Sequence, residues 1–288
     1  ANPVNLTLNF TRLDTPSSIQ TALPVWVNED GNGALTGSFS ANVSIGNDTR
    51  TINLPNTFNI KPEWKQNLNV KLTRCGAYTS SGVFQEFMCY NLGADTSADP
   101  FVPSAAIHGA KYQWGYKTSN PLVSDSRYYT QTDDQANSSP IAGWTISSQY
   151  LPDNSWSDTS KTANDPCPDG YRVPTQAQWR DIRASTFNTR ERVGDWSNNS
   201  STNYSSAVYL KNQLNIRTLM FPATGYRTSS TGGDLNARGV DGRYWFSTFE
   251  PSTTSTFATA YFMTVGQQLA GNISINRTDG NSVRCVKE

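Results

Sequence analysis

The chain has 288 residues, with 23 Lys and Arg against 23 Asp and Glu, a formal net charge of +0, and only 16% charged residues. Such a balance provides no global field for nucleic acid or an anionic membrane surface, and 11% aromatic residues exclude a disordered chain. The length suits one large domain or two ordinary ones, and we expect two.

From Val4 to Thr73 the sequence reads as strand after strand. VNLTLNF (4–10) alternates apolar and polar residues, and ALPVWVN (22–28), LTGSFSANVSI (35–45), RTINLP (50–55), TFNI (57–60) and NLNVKLT (67–73) keep the two-residue period. The breaks hold Asp30, Gly31, Asn32 and Gly33, then Gly46, Asn47 and Asp48, which suit tight turns. Strands without intervening helices predict a small antiparallel β-sandwich over residues 1–74. No apolar run reaches the roughly 20 residues of a membrane-spanning helix. Ala1 opens no charged-then-apolar leader, so the sequence reads as a mature or trimmed form.

Residues 75–288 have another texture: long Ser/Thr/Asn/Asp loops set with Trp and Tyr. The cysteines are Cys75, Cys89, Cys167 and Cys285, an even set that allows three pairings. None forms a CxxC pair and His108 is the only histidine, which favours disulfides over zinc and places the chain outside the cytosol. FQEFMCYNL (84–92) reads as a strand. A Cys75–Cys89 bond would clip the hairpin that opens this domain, a closure worth about 3 kcal/mol. Residues 118–160 read as an ordered polar insertion with room for a short helix, anchored by Trp144 and Trp156.

The good helix lies in NDPCPDGYRVPTQAQWRDI (164–182). Pro166 and Pro168 hold Cys167 in an extended turn, and Asp169 and Gly170 reverse the chain. Thr175 and Gln178 form a capping box, with Trp179 and Ile182 on the buried face. Strands return in AVYLKN (207–212), TLMFPATGY (218–226), RYWFSTF (243–249), FATAYFMTV (257–265), NISINR (272–277) and SVRCVKE (282–288). The last of these carries Cys285 and is well placed to tie the C-terminus to Cys167.

Six blocks carry a resemblance: FMCYNLGAD, HGAKYQWG, NDPCPDGYRVPTQAQW, LMFPATGYR, GRYWFST and SVRCV. Together, from Cys75 to Glu288, they resemble the Fibrobacter succinogenes major paralogous domain, an extracellular module of Bacteroidetes-type bacteria. YRVPTQAQW and YQWG are more distantly similar to the formylglycine-generating sulfatase-modifying enzymes. Both resemblances imply a C-type-lectin-like α+β domain, rich in loops, whose first and last strands lie together, in agreement with a Cys167–Cys285 bond. The N-terminal strands resemble the β-sandwich of fimbrillin-type surface proteins. That likeness implies lipoprotein export, anchorage at the outer membrane or a pilus tip, and assembly with other pilus subunits by strand addition. The expected fold class is therefore mainly β with some α.

The modifying enzymes use a late cysteine pair, whereas this chain offers only Cys285 there. His108 lies near no nucleophile motif and reads as a packed structural residue. The expected function is a non-enzymatic surface or pilus-tip adhesin that binds a glycan or a host or bacterial surface protein. The alternatives are an enzyme acting on surface polysaccharide or peptide, and a purely architectural pilus subunit. Lectin-like folds bind through late loops, here GYRTSSTGGDLNARGVDGRYWFS (225–247). The candidate ligand contacts are Arg227, Asp234, Asn236, Arg238, Asp241 and Arg243, with Tyr226 and Tyr244 as stacking faces. The bland reading of that loop is that it satisfies its own backbone and forms surface ion pairs. No metal ligand set is assigned. The oxygen-rich runs DDQAN (133–137) and Asn28–Gly33 leave calcium open without the EF-hand register, and EPS (250–252) has no later WND.

Overall fold

The computed structural model describes residues 74–117, 127–144, 151–198, 202–249 and 275–288 in full, and only the backbone of the strands within 9–71 and 250–274. The chain divides into two compact units, 1–73 and 74–288. It is built mainly of strands in several sheets, with few helices.

Unit 1 holds β1 (Asn9–Phe10), β2 (Ser18–Thr21), β3 (Phe39–Ile45), β4 (Asp48–Leu54) and β5 (Leu68–Lys71). β3 and β4 pair antiparallel from Phe39↔Leu54 to Ile45↔Asp48, so Asp48 of the expected Gly46, Asn47 and Asp48 turn belongs to β4, while Gly46 and Asn47 lie outside the described residues. β2 pairs antiparallel with β5. The expectation of an all-antiparallel unit needs one correction, because β1 lies parallel to β3 at Asn9↔Ser44 and Phe10↔Ile45. The predicted strands ALPVWVN and TFNI, and the run Asn28–Gly33, lie outside the described residues.

Unit 2 runs through β6 (Cys75–Tyr78), β7 (Phe84–Phe87), a 3-10 turn (Ala105–Ile107), β8 (Lys111–Tyr112), β9 (Tyr128–Tyr129), α1 (Gln131–Ala136), β10 (Tyr171–Arg172) and α2 (Gln176–Ala184). It continues with β11 (Thr189–Val193), β12 (Ala207–Lys211), β13 (Arg217–Pro222), β14 (Thr224–Thr228), β15 (Asp234–Arg238), β16 (Arg243–Glu250), β17 (Thr259–Val265), β18 (Leu269–Asn276) and β19 (Val286–Lys287). The sheet orders are β10-β19-β7-β6, β11-β12-β13 and β16-β17-β18, with two-stranded ribbons β8-β9 and β14-β15. The last strand of the chain thus sits between β10 and the opening hairpin. FQEFMCYNL is a regular strand only to Phe87. Beyond it the chain bends at Cys89 and Tyr90, and the amides of Met88 and Leu92 donate to the carbonyls of Cys285 and Val283, both at 2.9 Å, which keeps it beside the C-terminal segment without a regular ladder.

Both expected disulfides are present, Cys75–Cys89 and Cys167–Cys285, with Cα atoms 5.0 and 5.8 Å apart. Around Cys167 the loop is fixed by polar groups. The fully buried Asp165 accepts from the amides of Cys167 and Val173, both at 2.9 Å, so one carboxylate spans the turn. Lys161 Nζ donates to the carbonyls of Cys167 (2.5 Å) and Tyr171 (2.6 Å), closing the loop from outside.

Helix α2 begins as its sequence predicts. Thr175 accepts from the Gln178 amide at 3.1 Å while Gln178 Oε1 accepts from the Thr175 amide at 2.9 Å, satisfying two donors that the first turn leaves unpaired. Trp179 and Ile182 face inward, and the Trp179 ring lies 4.9 Å from Phe87, 5.3 Å from Phe221 and 6.3 Å from Phe246. This core therefore joins the opening hairpin, the helix and two later sheets. A second core gathers Trp114, Trp156 and Trp245 around the Cys167–Cys285 bond. The expected anchors are buried and bonded: Trp144 Nε1 donates to the Thr278 carbonyl at 3.0 Å and Trp156 Nε1 to that of Asn164 at 2.9 Å.

Candidate functional site

The late loop folds as the β14-β15 ribbon, with Thr224↔Arg238, Tyr226↔Asn236 and Thr228↔Asp234 paired. Three of the expected ligand contacts are corrected here: Arg227, Arg238 and Tyr244 are each 0% exposed and belong to the interior. Period-two alternation turns Arg227 inward beside the outward Tyr226. Ala237 adopts a left-handed φ of 59°, which breaks the alternation before Arg238. Tyr244 donates to the Pro222 carbonyl at 2.7 Å, and burial pushes its phenol up to about 12. Tyr226, Asp234, Asn236, Asp241 and Arg243 remain half-buried at the surface. The Arg243 guanidinium stacks 3.2 Å from the Tyr226 ring centre and lies 3.7 Å from Asp241, while Asn236 Nδ2 donates to Thr228 Oγ1 at 3.2 Å. These groups satisfy one another, in line with the bland reading of the loop.

The inward residues form a centre on Asp134. Thr130 caps α1 by accepting from the Asp133 amide at 3.1 Å, and the helix carries Asp134 into the interior. Arg227 Nε donates to Asp134 Oδ1 and Arg238 Nη2 to Oδ2, both at 2.7 Å. Lys111 Nζ lies 3.5 Å from Oδ2, an ion-pair distance too long for a good hydrogen bond. DDQAN is therefore a helical turn whose second carboxylate is engaged by two guanidinium groups. Burial alone would raise the Asp134 carboxyl, but Lys111, Arg227 and Arg238 hold it below the usual carboxylate range. Lys111 is pushed down to about 8, first by burial and then by repulsion from Arg238 and Arg227, which Asp134 offsets in part. The buried His108 is held well below its ordinary value by burial, with Lys111 and Arg238 adding repulsion.

Tyr204 connects this centre to the surface. Its hydroxyl accepts from Arg238 Nη1 at 3.0 Å, its ring centre lies 4.8 Å from the same guanidinium, and its ring meets His108 edge-on at 4.9 Å. Tyr204 also lines a surface cavity of about 440 Å³. One wall of the cavity is Pro103 and Ser104, and the other is the loop Asp195, Ser197 and Thr202 to Ser205. The first wall is held by Tyr90, which donates to the Ala98 carbonyl at 2.7 Å, and by Tyr209, which donates to that of Phe101 at 2.5 Å. Asn203 builds the second wall: its Nδ2 donates to the carbonyls of Asp195 (2.6 Å) and Ser197 (2.8 Å), and its Oδ1 accepts from the Ser205 amide at 3.1 Å. Its amide packs so closely on Gly239, at φ +91°, that a Cβ there would collide with it. The residue after Arg238 thus supports the outer wall.

The residues lining the cavity carry hydroxyl groups, a carboxylate and the Tyr204 ring. Asp195 Oδ2 accepts from Ser197 Oγ at 2.8 Å. Reasoning from the sequence missed this loop, because its Asn, Ser and Thr residues resemble any surface turn. The available signal was the isolated Tyr204 in an Asn/Ser/Thr-rich run that begins at Gly194.

All four cysteines lie in the two disulfides. Among the described residues no group of three or more His, Cys, Asp or Glu side chains is placed to hold a metal, and no helix is long and apolar enough to cross a membrane. No family model, no curated protein and no solved structure matches the chain.

Proposed function

We propose that the chain is a non-enzymatic extracellular adhesin of a bacterial surface or pilus tip, and that unit 2 binds a glycan in the Tyr204 cavity. The observation that carries this reading is the cavity of about 440 Å³, large enough for a sugar-sized ligand and lined by hydroxyls, a carboxylate and a ring clamped by Arg238 and His108. Sugars present hydroxyls that pair with such polar groups and an apolar ring face that stacks on an aromatic side chain. Two disulfides in a loop-rich unit support an oxidising, extracellular setting. The sequence blocks support a lectin-like module, and the N-terminal strand pattern supports a fimbrillin-like unit that mediates attachment or assembly.

A glycan array tests this reading. Saturable binding with the bound glycan recovered intact is expected. Cleavage of the glycan would favour an enzyme, and an empty array together with recovery of pilus subunits in a pull-down would favour an architectural subunit.

A further inference from the structure

We infer that the ligand of the Tyr204 cavity is an amino sugar, with its ammonium on Asp195; this rests on reading the cavity as a glycan site. Among the described residues that line the cavity, Asp195 is the one charged side chain. The loop holds its backbone in place: the Asp195 carbonyl accepts from Asn203 Nδ2 and from Ser206 Oγ, both at 2.6 Å, and its amide donates to Ser205 Oγ at 3.0 Å. The exposed carboxylate accepts from Ser197 Oγ through Oδ2, and Oδ1 has no partner among the described residues.

The same loop has spent donors on itself. Asn203 Nδ2 donates to the carbonyls of Asp195 and Ser197, Ser197 Oγ to Asp195, and Ser205 Oγ to Asn203 Oδ1 at 3.0 Å. A hydroxyl has one proton to give and two lone pairs to accept with, and a carboxylate only accepts. This wall therefore keeps acceptor capacity and suits a ligand that donates. Sugar hydroxyls meet that need in part. An ammonium adds three donors and a charge opposite to that of Asp195. The buried cations oppose it, but Lys111, Arg227 and Arg238 all gather on Asp134 and none of them lines the cavity. An ammonium meets Asp195 at hydrogen-bond range and those cations only from beyond the lining, where Asp134 offsets them in part.

The test compares glucosamine with glucose and N-acetylglucosamine by titration calorimetry on the full chain, with methylammonium as the charge without a sugar. Glucosamine should bind about threefold more tightly than either neutral sugar, the size of an exposed ion pair. The preference should shrink as salt is raised and as the amine loses its proton at alkaline pH, and Asp195→Asn should remove it. Neutral sugars binding as tightly as glucosamine would overturn the amino-sugar assignment while leaving the glycan reading in place. A preference that survives both high salt and Asp195→Asn would do the same. Methylammonium binding as tightly as glucosamine, or failure of all three sugars to bind, would overturn both.

Discussion

Arg238 donates to the Tyr204 hydroxyl at 3.0 Å while the same guanidinium holds Asp134 Oδ2 at 2.7 Å, so one buried side chain ties the cavity wall to the interior. Tyr204→Phe deletes the acceptor and nothing else of the ring. We expect a loss of about 1.5 to 3 kcal/mol, the range for a hydrogen bond to a charged group, measured by chemical denaturation. An unchanged midpoint would show that the bond does not constrain the wall.

Asp134 is the more severe position. Asp134→Asn leaves Lys111, Arg227 and Arg238 buried without their shared carboxylate and should cost about 3 to 5 kcal/mol. Denaturant midpoints of wild type and variant check this, and a loss no larger than that of a surface substitution would contradict it.

The centre also sets a pH dependence. Lys111 titrates near 8 in the folded chain against a reference value of 10.5, so between those limits the unfolded chain binds the extra proton. The contribution of Lys111 to stability therefore rises with pH through that window. Asp134 has the opposite sense at the acid end: its depressed carboxyl contributes stability above its unfolded value, and that stability is lost as pH falls through the folded value. Stability should climb from about pH 8 to about pH 10 in wild type relative to Lys111→Met. Parallel profiles for the two proteins would refute the assignment.

Trp179 and the disulfides govern the framework. Trp179→Ala removes a ring that touches Phe87, Phe221 and Phe246 and should cost about 3 to 5 kcal/mol. The double change Cys167→Ser and Cys285→Ser opens a link between residues 118 apart in sequence and should cost about 2 to 5 kcal/mol. Thermal melts read both, and a melting temperature equal to wild type in either would contradict the packing described.

Local chemistry made part of this legible. The capping box, the inward Trp179 and Ile182, the anchors Trp144 and Trp156 and the two disulfides depend on residue types whose requirements act over a few neighbours or through covalent pairing. The burial of Arg227 and Arg238 does not. Their partner Asp134 lies 93 and 104 residues away, and arginines in a glycine-rich loop read as solvent-facing until the fold brings α1 beneath them. The cavity was hidden for the same reason. Its walls, at Pro103 and Ser104 and at Asp195, Ser197 and Thr202 to Ser205, are mostly polar loop residues, and only their juxtaposition around Tyr204 makes a site.

The account stands on the ligand meeting Tyr204 rather than the β14-β15 rim. Calorimetric titration of the tightest glycan from the array against wild type, Tyr204→Ala and Arg243→Ala tests that directly. We predict that Tyr204→Ala weakens binding by about tenfold or more, a change of about 1.4 kcal/mol, and that Arg243→Ala binds as wild type does. Loss of binding in Arg243→Ala with Tyr204→Ala unaffected would return the site to the late loop and contradict the account.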